Sequence, residues 1–211
     1  MSNAPALLEH DWYGRGIPTN VRVGRDVYID TAYGFAPFRS QQEPGLLLGD
    51  ASGAYDRTTF VVGPQGTVAV GDYTVLNGTY LVAYERIAIG AHCLLAWGSV
   101  LTDTWIGAGA TTAARRALLQ AAAADPGRHP GPLGPPRPVT LADNVWVGFD
   151  SVVLPGVTLG RGAIVGCKTI VTRDVAPYEI VVGDPMRVVR RLDADDTREA
   201  RERAFRECSH P

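Results

Sequence analysis

Apolar residues recur every six positions along the C-terminal half of the chain. The leading position of each hexad holds one of six aliphatic side chains, Leu141, Val147, Val153, Leu159, Val165 and Val171. The fourth position after each leader holds a side chain small enough for a narrow core, namely Val145, Ser151, Val157, Ala163, Thr169 and Val175. A strand alternates every two residues and a helix every 3.6, whereas a short fixed period is typical of a β-helix. The pattern therefore predicts a prism built from hexapeptide repeats.

Three hexapeptides make one 18-residue coil, so residues 18 apart are expected to stack. Val147 should lie under Val165, and Gly148 under Gly166, with coils ~4.8 Å apart as in any pair of strands. The third position after each leader is the expected corner, and it is filled by Asn144, Asp150, Gly156, Gly162, Lys168 and Asp174. Gly, Asn and Asp tolerate a positive φ, so five of the six suit a corner and Lys168 is the exception.

A less regular form of the same repeat occupies the N-terminal half. Its expected leaders are Val23, Ile29, Leu48, Val70, Leu76 and Val82, followed after a one-residue slip by Ile89, Leu95 and Leu101. The prism is therefore predicted to begin near residue 20 and to continue to about residue 176. We assign residues 1–192 to this domain.

Three segments leave the repeat. Residues 30–47, which contain aromatic residues and proline, are predicted to form an early loop. Residues 107–138, here called the excursion, begin with an Ala-rich stretch at 111–124 that predicts a short helix and end in a Pro/Gly-rich stretch at 126–138. Residues 193–211 are charged and are expected to form a C-terminal α-helix and tail. The predicted fold class is all-β, a parallel β-helix with a loop and helix excursion.

Charge and cysteine content exclude several classes of protein. The 20 Lys and Arg residues nearly balance 22 Asp and Glu residues, which argues against nucleic acid or an anionic membrane as the main partner. Three scattered cysteines do not form a disulfide framework and fit a reducing compartment. The first residues carry no apolar run, and no later run is long enough to span a bilayer. We expect a cytoplasmic protein.

Residues 143–192 resemble the hexapeptide-repeat acyltransferases, the family that includes sugar, xenobiotic and maltose O-acetyltransferases. The motifs that carry the resemblance are NVWVG at 144–148, LPGV at 154–157, VTRDV at 171–175 and VGDPMR at 182–187. The resemblance implies a left-handed β-helix and a homotrimer. It also implies that the pantetheine arm of acetyl-CoA, the acyl donor, lies in a groove between two subunits, with no metal ion.

In the family that this chain resembles, a histidine acts as general base. His10 and His210 lie near the termini, His92 occupies a predicted corner, and His129 lies in the excursion before a proline. We predict His129 as the base, with His92 or no histidine as the alternatives. Asp103 is predicted to orient a histidine or bind the acceptor hydroxyl, although it equally suits a solvated turn.

The sequence also departs from relatives near these candidates. Trp97 stands where some relatives have histidine, and Trp105 follows Asp103 closely, where relatives often place one. These departures keep open a second hypothesis, in which the chain has lost its base.

The residues expected to bind coenzyme A lie in the last coils. Trp146 would form a wall of the groove, although packing between coils is an equal alternative. Basic side chains would bind the phosphates, or else form a solvated basic face. The full predicted set is Trp146, Gly148, Gly166, Lys168, Thr169, Arg173 and Arg187.

Three functions were weighed. The favoured function is transfer of an acyl group, acetyl by default, from coenzyme A to a hydroxyl of a sugar or nucleotide sugar. The alternative is a non-catalytic β-helix protein that serves in binding or assembly. A zinc enzyme on the same fold would need three histidine ligands, and the only internal histidines are His92 and His129. This excludes that metal site.

Overall fold

The chain winds through three β-sheets in turn and so forms a parallel β-helix of triangular cross-section. A computed structural model describes residues 7–105, 111–125, 131–132 and 134–192. We call the sheets A, B and C in the order in which the chain visits them. Every strand pair between coils is parallel, and one antiparallel pair closes the described chain.

The sheets contain strands from successive coils. Sheet A is formed by β1 (Val21–Val23), β3 (Leu46–Leu48), β6 (Thr67–Val70), β9 (Arg86–Ile89), β12 (Val139–Leu141) and β15 (Thr158–Leu159). Sheet B is formed by β2 (Tyr28–Ile29), β4 (Gly53–Tyr55), β7 (Val75–Asn77), β10 (Leu94–Leu95), β13 (Trp146–Val147), β16 (Ile164–Val165), β18 (Glu179–Val182) and β19 (Arg187–Arg191). Sheet C is formed by β5 (Thr59–Val62), β8 (Tyr80–Ala83), β11 (Val100–Thr102), β14 (Val152–Val153) and β17 (Ile170–Val171).

The hexad pattern in the C-terminal half is confirmed as the core of the prism. All six leaders from Leu141 to Val171 are buried, and so are the six residues four places after them. Val147 pairs with Val165 in register, which is the predicted 18-residue stack. Each strand from β13 to β17 has two residues, of which the second faces inward, so one aliphatic side chain per strand fills the interior. The three-residue β12 buries both Val139 and Leu141.

Five of the six predicted corners adopt the left-handed backbone conformation. Asn144, Asp150 and Lys168 have φ between 53° and 58°. The two corner glycines also have positive φ. The prediction for Asp174 is wrong. Its carboxylate instead accepts the backbone N–H of Thr158 at 2.7 Å, and the positive φ values that follow in the chain fall on Tyr178 and Gly183. The reason is a change of coil length, because Val165 pairs with a residue only 16 positions further on.

Two expected leaders in the N-terminal half are wrong. Val23 is about half exposed, and Val21 faces the core in its place. Val82 is half-buried and faces outward, while Leu81 and Ala83 on either side are fully buried. The coils in this half are not uniformly 18 residues long, so a strict period of six loses phase there.

The predicted early loop becomes part of the core. It contains a short 3-10 helix at Ala32–Phe35, and the ring of Phe35 stacks on Phe60 with centroids 5.0 Å apart. The backbone N–H of Arg39 donates to the carbonyl of Val62 at 2.8 Å. The loop therefore takes the place of a sheet C strand in the first coil and lies against β5.

The predicted helix of the excursion is confirmed as α1 (Thr112–Ala124). The hydroxyl of Thr111 caps it by accepting the N–H of Ala114, and none of its residues is buried. The predicted C-terminal helix at 193–211 lies outside the described residues. The antiparallel strand β19 was not predicted. Within the part of the chain that the structure describes, no helix has the length and apolar character needed to cross a membrane.

Candidate functional site

The candidate site residues lie on two different edges of the prism. We name the edges AB, BC and CA after the sheets that meet there. The residues that follow β13 and β16 form edge BC, and they include Gly148, Gly166 and Lys168. The chain leaves the prism into the excursion after β11, at edge CA, where Asp103 lies. Within one chain, the predicted coenzyme A residues Gly148, Gly166 and Lys168 therefore lie on a different edge from the predicted catalytic residue Asp103.

Close approach of two coils explains the glycines of edge BC. A Cβ atom on Gly148 would lie 2.7 Å from the backbone nitrogen of Cys167 and 3.0 Å from the carbonyl carbon of Gly166. A Cβ on Gly166 would meet Cγ1 of Val182 at 2.8 Å. Trp146 lies beside them on the outer face of sheet B, where about half of its surface is exposed. The edge thus combines a flat glycine wall with an exposed indole.

Lys168 provides an available positive charge at edge BC. Its side chain is 79% exposed, and its Nζ lies 3.4 Å from Oδ2 of Asp150, whose side chain is also exposed. Such a surface ion pair is worth only about 0–1 kcal/mol, so an anion can compete for the ammonium group. Arg187, which pairs with Val182 across the β18–β19 ladder, is exposed on the same end of sheet B.

Two members of the predicted coenzyme A set lie elsewhere. Thr169 is fully buried, and its hydroxyl accepts the N–H of Gly183 at 3.0 Å. Its side chain therefore supports the last coil from inside the prism and does not face the groove. Arg173 is exposed but follows β17 toward edge CA, so β17 separates it from Lys168. The basic residues do not form one cluster on a single chain.

Asp103 is a buried structural anchor at edge CA. Its carboxylate accepts the backbone N–H groups of Tyr84, Glu85 and Arg86 at 2.7–2.9 Å, which hold the turn after β8. Its own carbonyl accepts the N–H of Arg137 at 2.7 Å, where the excursion returns to the prism. The alternative of a solvated turn residue is wrong, since Asp103 has no exposed surface.

A cavity of about 570 Å³ lies beside this anchor at edge CA. Its lining comes from the early loop, from β5 and the turns after β5 and β8, and from the excursion. The lining residues are Pro37, Arg39, Gln41, Val61, Val62, Gly63, Pro64, Gln65, Tyr84, Gly131, Pro132 and Pro136. Burial, and secondly the charge of Asp103, raises the pKa of the Tyr84 phenol, so it stays protonated at neutral pH. The Tyr84 hydroxyl can therefore donate a hydrogen bond.

The two described histidines lie away from this cavity. His92 is a corner residue of edge AB with φ of 58°, and its ring stacks on Tyr73 with centroids 5.0 Å apart. His10 contacts the carbonyl of Ile29 at 2.9 Å through Nε2 and stacks on Tyr28. His129 lies outside the described residues, and Gly131, two positions later, lines the cavity.

The structure adds residues that sequence reasoning did not assign. The rings of Trp97 and Phe149 stack at edge BC with centroids 5.6 Å apart, and the Trp97 indole N–H donates to the carboxylate of Asp56. Trp97 and Phe149 each lie two positions after a leader, in successive coils, so the repeat could have predicted that their rings stack. The sequence did not indicate that Arg39, Gln65 and Tyr84 line a cavity, because the cavity depends on how the early loop and the excursion fold onto the prism.

Among the described residues, no three His, Cys, Asp or Glu side chains gather into a group that could hold a metal ion.

Comparison with known proteins identifies relatives with acyltransferase names. A Staphylococcus aureus (strain COL) protein that carries the provisional name of an acetyltransferase is 43% identical over 58 residues, which are 28% of this chain and 29% of the relative. The aligned stretch thus spans less than a third of the relative's length. No family model matches the chain.

Two solved structures share the architecture. A hexapeptide-repeat acetyltransferase from Vibrio cholerae in complex with acetyl-CoA is 25% identical, with a TM-score of 0.53 over 71% of this chain and 72% of that one. A variant of AntD, an N-acyltransferase from Bacillus cereus in complex with dTDP and coenzyme A, is 18% identical, with a TM-score of 0.64 over 89% and 91%. The predicted resemblance is confirmed: this chain is a left-handed parallel β-helix with the fold of the hexapeptide-repeat acyltransferases.

Proposed function

We propose that this protein transfers an acyl group, by default acetyl, from coenzyme A to a hydroxyl of a sugar or nucleotide sugar. The observation that carries the proposal is the likeness to the Vibrio cholerae acetyltransferase solved with acetyl-CoA, which extends over most of this chain at 25% identity. The sugar nucleotide is suggested by AntD, whose variants are solved with dTDP and with dTDP-4-amino-4,6-dideoxyglucose.

Coenzyme A is proposed to lie along edge BC. Gly148 and Gly166 lie on this edge beside the half-exposed indole of Trp146. Lys168 and Arg187, both exposed at the same end, would bind its phosphates through charge-assisted hydrogen bonds. Of the remaining predicted contacts, Arg173 would have to act from the edge of another subunit, and Thr169 would act only by supporting the coil.

A homotrimer would bring the two halves of the site together. The donor residues occupy edge BC and the cavity occupies edge CA, so neither edge of one chain holds a complete site. Cyclic assembly joins different surfaces of neighbouring subunits, and can therefore place edge CA of one subunit against edge BC of the next. The division of residues between edges supports a shared site.

The proposed reaction is a direct transfer. His129 takes the proton from the acceptor hydroxyl as the oxygen attacks the thioester carbonyl carbon. A C–O bond forms, the C–S bond breaks, and the departing thiolate takes up the proton, directly or through the imidazolium. Gly131, two positions after His129 in the sequence, lines the cavity. Asp103 is proposed as a positioning residue that holds the Tyr84 turn.

The test compares His129→Ala with His92→Ala. Loss of a general base typically costs ~10²–10⁴ in rate, so His129→Ala should lose turnover of acetyl-CoA with a panel of sugars. Coenzyme A affinity, measured by calorimetry, should stay unchanged in both variants, and His92→Ala should remain active. A dead His92→Ala variant beside an active His129→Ala variant would transfer the role to edge AB and overturn this assignment.

A second candidate function is a binding or assembly protein that lacks a base. It is favoured by the described histidines, since His10 and His92 both lie away from the cavity, and by Trp105, which is exposed at the start of the excursion. Coenzyme A binding without turnover for any acceptor would support this function over the first.

A further inference from the structure

Two arginines occupy the same position at edge AB in different coils. Each is the second residue after a strand of sheet A, Arg25 after β1 and Arg161 after β15. By the strand register, Asp50 lies opposite Arg25 in the next coil, and Pro177 lies opposite Arg161. The two arginines therefore have equivalent surroundings except for the residue that faces them from the next coil.

Arg25 shows what an arginine binds at this position. Its Nε and Nη2 donate to Oδ2 of Asp50 at 3.0 Å and 2.5 Å. The guanidinium group presents its N–H donors in a fixed fork that suits a carboxylate. The pair thus joins two successive coils on the outside of edge AB.

The same two atoms of Arg161 are left without an acceptor. Its Nε and Nη2 are buried, and neither has a hydrogen-bond partner within the described part of the chain. Pro177, at the position that corresponds to Asp50, has no carboxylate to offer. Buried charged donors are almost always paired, because leaving them unpaired is costly and an arginine cannot avoid the cost by losing its proton.

The carboxylates on either side of Arg161 serve the backbone instead. Asp143 stands at the same position one coil earlier, and its Oδ1 accepts the N–H of Ala91 at 2.9 Å. Glu179 follows in the next coil, and its Oε2 accepts the N–H of Ala176 at 3.1 Å. Neither carboxylate takes the place that Asp50 has beside Arg25.

The end of the described chain returns to this position. The N–H of Tyr178 donates to the carbonyl of Arg161 at 2.9 Å, and the N–H of Leu192 donates to the carbonyl of Tyr178 at 2.8 Å. Leu192 therefore lies two strand spacings, ~10 Å, from Arg161. The sequence continues directly from Leu192 with an acidic run, which consists of Asp193, Asp195 and Asp196.

We infer that a carboxylate of this acidic run binds Nε and Nη2 of Arg161 and fastens the C-terminal segment of the same chain to edge AB. The inference goes beyond the proposed function and holds whether or not the protein is a transferase. The acidic run supplies the group that Asp50 supplies to Arg25 and that Pro177 lacks. Its charge and its place in the sequence, next to Leu192, favour it over an acid from another molecule.

Melting temperatures of four proteins test the pairing. They are the wild type, Arg161→Gln, the triple variant Asp193→Asn, Asp195→Asn and Asp196→Asn, and the combination of all four substitutions. A charge-assisted contact in a chain of this size is equivalent to about 3–10 °C, so Arg161→Gln should lower the melting temperature by that amount. In the triple-Asn background the same substitution should cost less than half as much.

The opposite results are equally specific. If Arg161 has no partner, Arg161→Gln removes an unpaired buried charge and should leave the melting temperature unchanged or raise it. An equal loss in both backgrounds would show that another anion serves Arg161. Either result would overturn the inference. Arg161→Lys, which keeps the charge without the fork, serves if the glutamine variant does not fold, and its loss should also shrink in the triple-Asn background.

Arg25→Gln is the matched control. Its partner is Asp50, so its effect on the melting temperature should be the same with and without the three Asn substitutions. A loss that shrinks in the triple-Asn background for Arg25→Gln as well would show a general effect of net charge and would overturn the specific pairing.

A cross-link decides whether the acid belongs to the same chain. In a chain whose Cys93, Cys167 and Cys208 are replaced by serine, Arg161→Cys and Asp195→Cys provide the only two thiols. A short bismaleimide should join them into a product with the mass of one chain under denaturing conditions. A product with the mass of two chains, or no product, would overturn the assignment to the chain's own C-terminal segment.

Discussion

The carboxylate of Asp103 accepts the backbone N–H of Tyr84 from the neighbouring coil at 2.9 Å, with both oxygens in contact. One of those oxygens also accepts from Glu85 and Arg86. Three backbone donors therefore depend on one side chain, and the backbone carbonyl of the same residue accepts the N–H of Arg137 where the excursion returns. Asp103 ties the geometry of the cavity wall to the stability of the coil.

Asp103→Asn is expected to destabilise the fold by about 2–4 kcal/mol, because the amide group must turn its NH₂ toward at least one backbone donor. Urea unfolding measures the change. Asp174→Asn is the matched control, since the Asp174 carboxylate is exposed and accepts a backbone hydrogen bond from Thr158, and its cost should be about 1 kcal/mol or less. Equal losses in the two variants would contradict the anchoring role.

The two glycines of edge BC should respond differently to alanine. Gly148→Ala places a Cβ against backbone atoms, which cannot move without shifting the next coil. Gly166→Ala meets the side chain of Val182, which can change rotamer. Overpacking costs about 1–3 kcal/mol, so Gly148→Ala should lie at or above the upper end and Gly166→Ala near the lower end. Thermal unfolding ranks the two, and a reversed order would show that the coils are not packed as described.

Alkaline pH should destabilise the protein through Cys93. Burial raises the pKa of this thiol to about 11, against an ordinary value of 9.0. Between those values the folded thiol stays protonated while the unfolded thiol ionises, so the free energy of unfolding falls as pH rises, by up to about 3 kcal/mol. Urea unfolding at pH 8 and pH 10.5 should show a shallower fall in Cys93→Ala. Cys167→Ala, whose thiol is exposed, should keep the wild-type fall.

Coenzyme A affinity should depend on Lys168. Loss of a charge-assisted contact costs ~1.5–3 kcal/mol, so Lys168→Ala should weaken binding by about 10–150-fold in calorimetry. Asp150→Asn provides the control, because it removes the partner of Lys168 without removing the ammonium group, and affinity should be equal or higher. Weaker coenzyme A binding in Asp150→Asn would mean that the site needs the Lys168–Asp150 ion pair and not the Lys168 ammonium group alone.

A shared site predicts complementation between two subunits with different defects. Trimers mixed from His129→Ala and Lys168→Ala chains would contain some interfaces in which both mutations fall on one site and others in which a site keeps both native residues. Turnover at subsaturating acetyl-CoA should therefore rise on mixing and refolding, because His129→Ala chains alone lack the base and Lys168→Ala chains alone bind coenzyme A weakly. Light scattering establishes the oligomer, and a monomer at micromolar concentration would contradict this arrangement.

The sequence predicted the C-terminal coils closely because one physical requirement repeats there without interruption. Each short strand must bury an aliphatic side chain at its last position, and the leaders from Leu141 to Val171 satisfy this every six residues. In the N-terminal half the coils differ in length, so a strict six-residue period does not follow the core positions. Val23 and Val82 were therefore predicted to face the core, although both face outward. The helix of the excursion was predictable from alanine content alone.

The candidate site was harder to predict for a physical reason. A linear pattern shows which residues share a coil but not which edge of the prism an irregular segment covers. Lys168 and Arg173 are five residues apart and fall on different edges, while Arg39 and Pro136 are nearly a hundred residues apart and line one cavity. Asp103 was noticed as a candidate, but its bonds to the backbone of the previous coil have no sequence signature.

The reversal of direction at β19 also controls what the end of the prism offers to other molecules. A stack of parallel coils that simply stopped would present a strand ready to pair with the first coil of another copy, and repeated pairing of that kind builds fibres. Here the strand that follows β18 runs antiparallel and carries Arg187, Arg190 and Arg191, all exposed. A second copy arriving end to end would meet the wrong strand polarity and a row of positive charges, so growth into a polymer is blocked at this end.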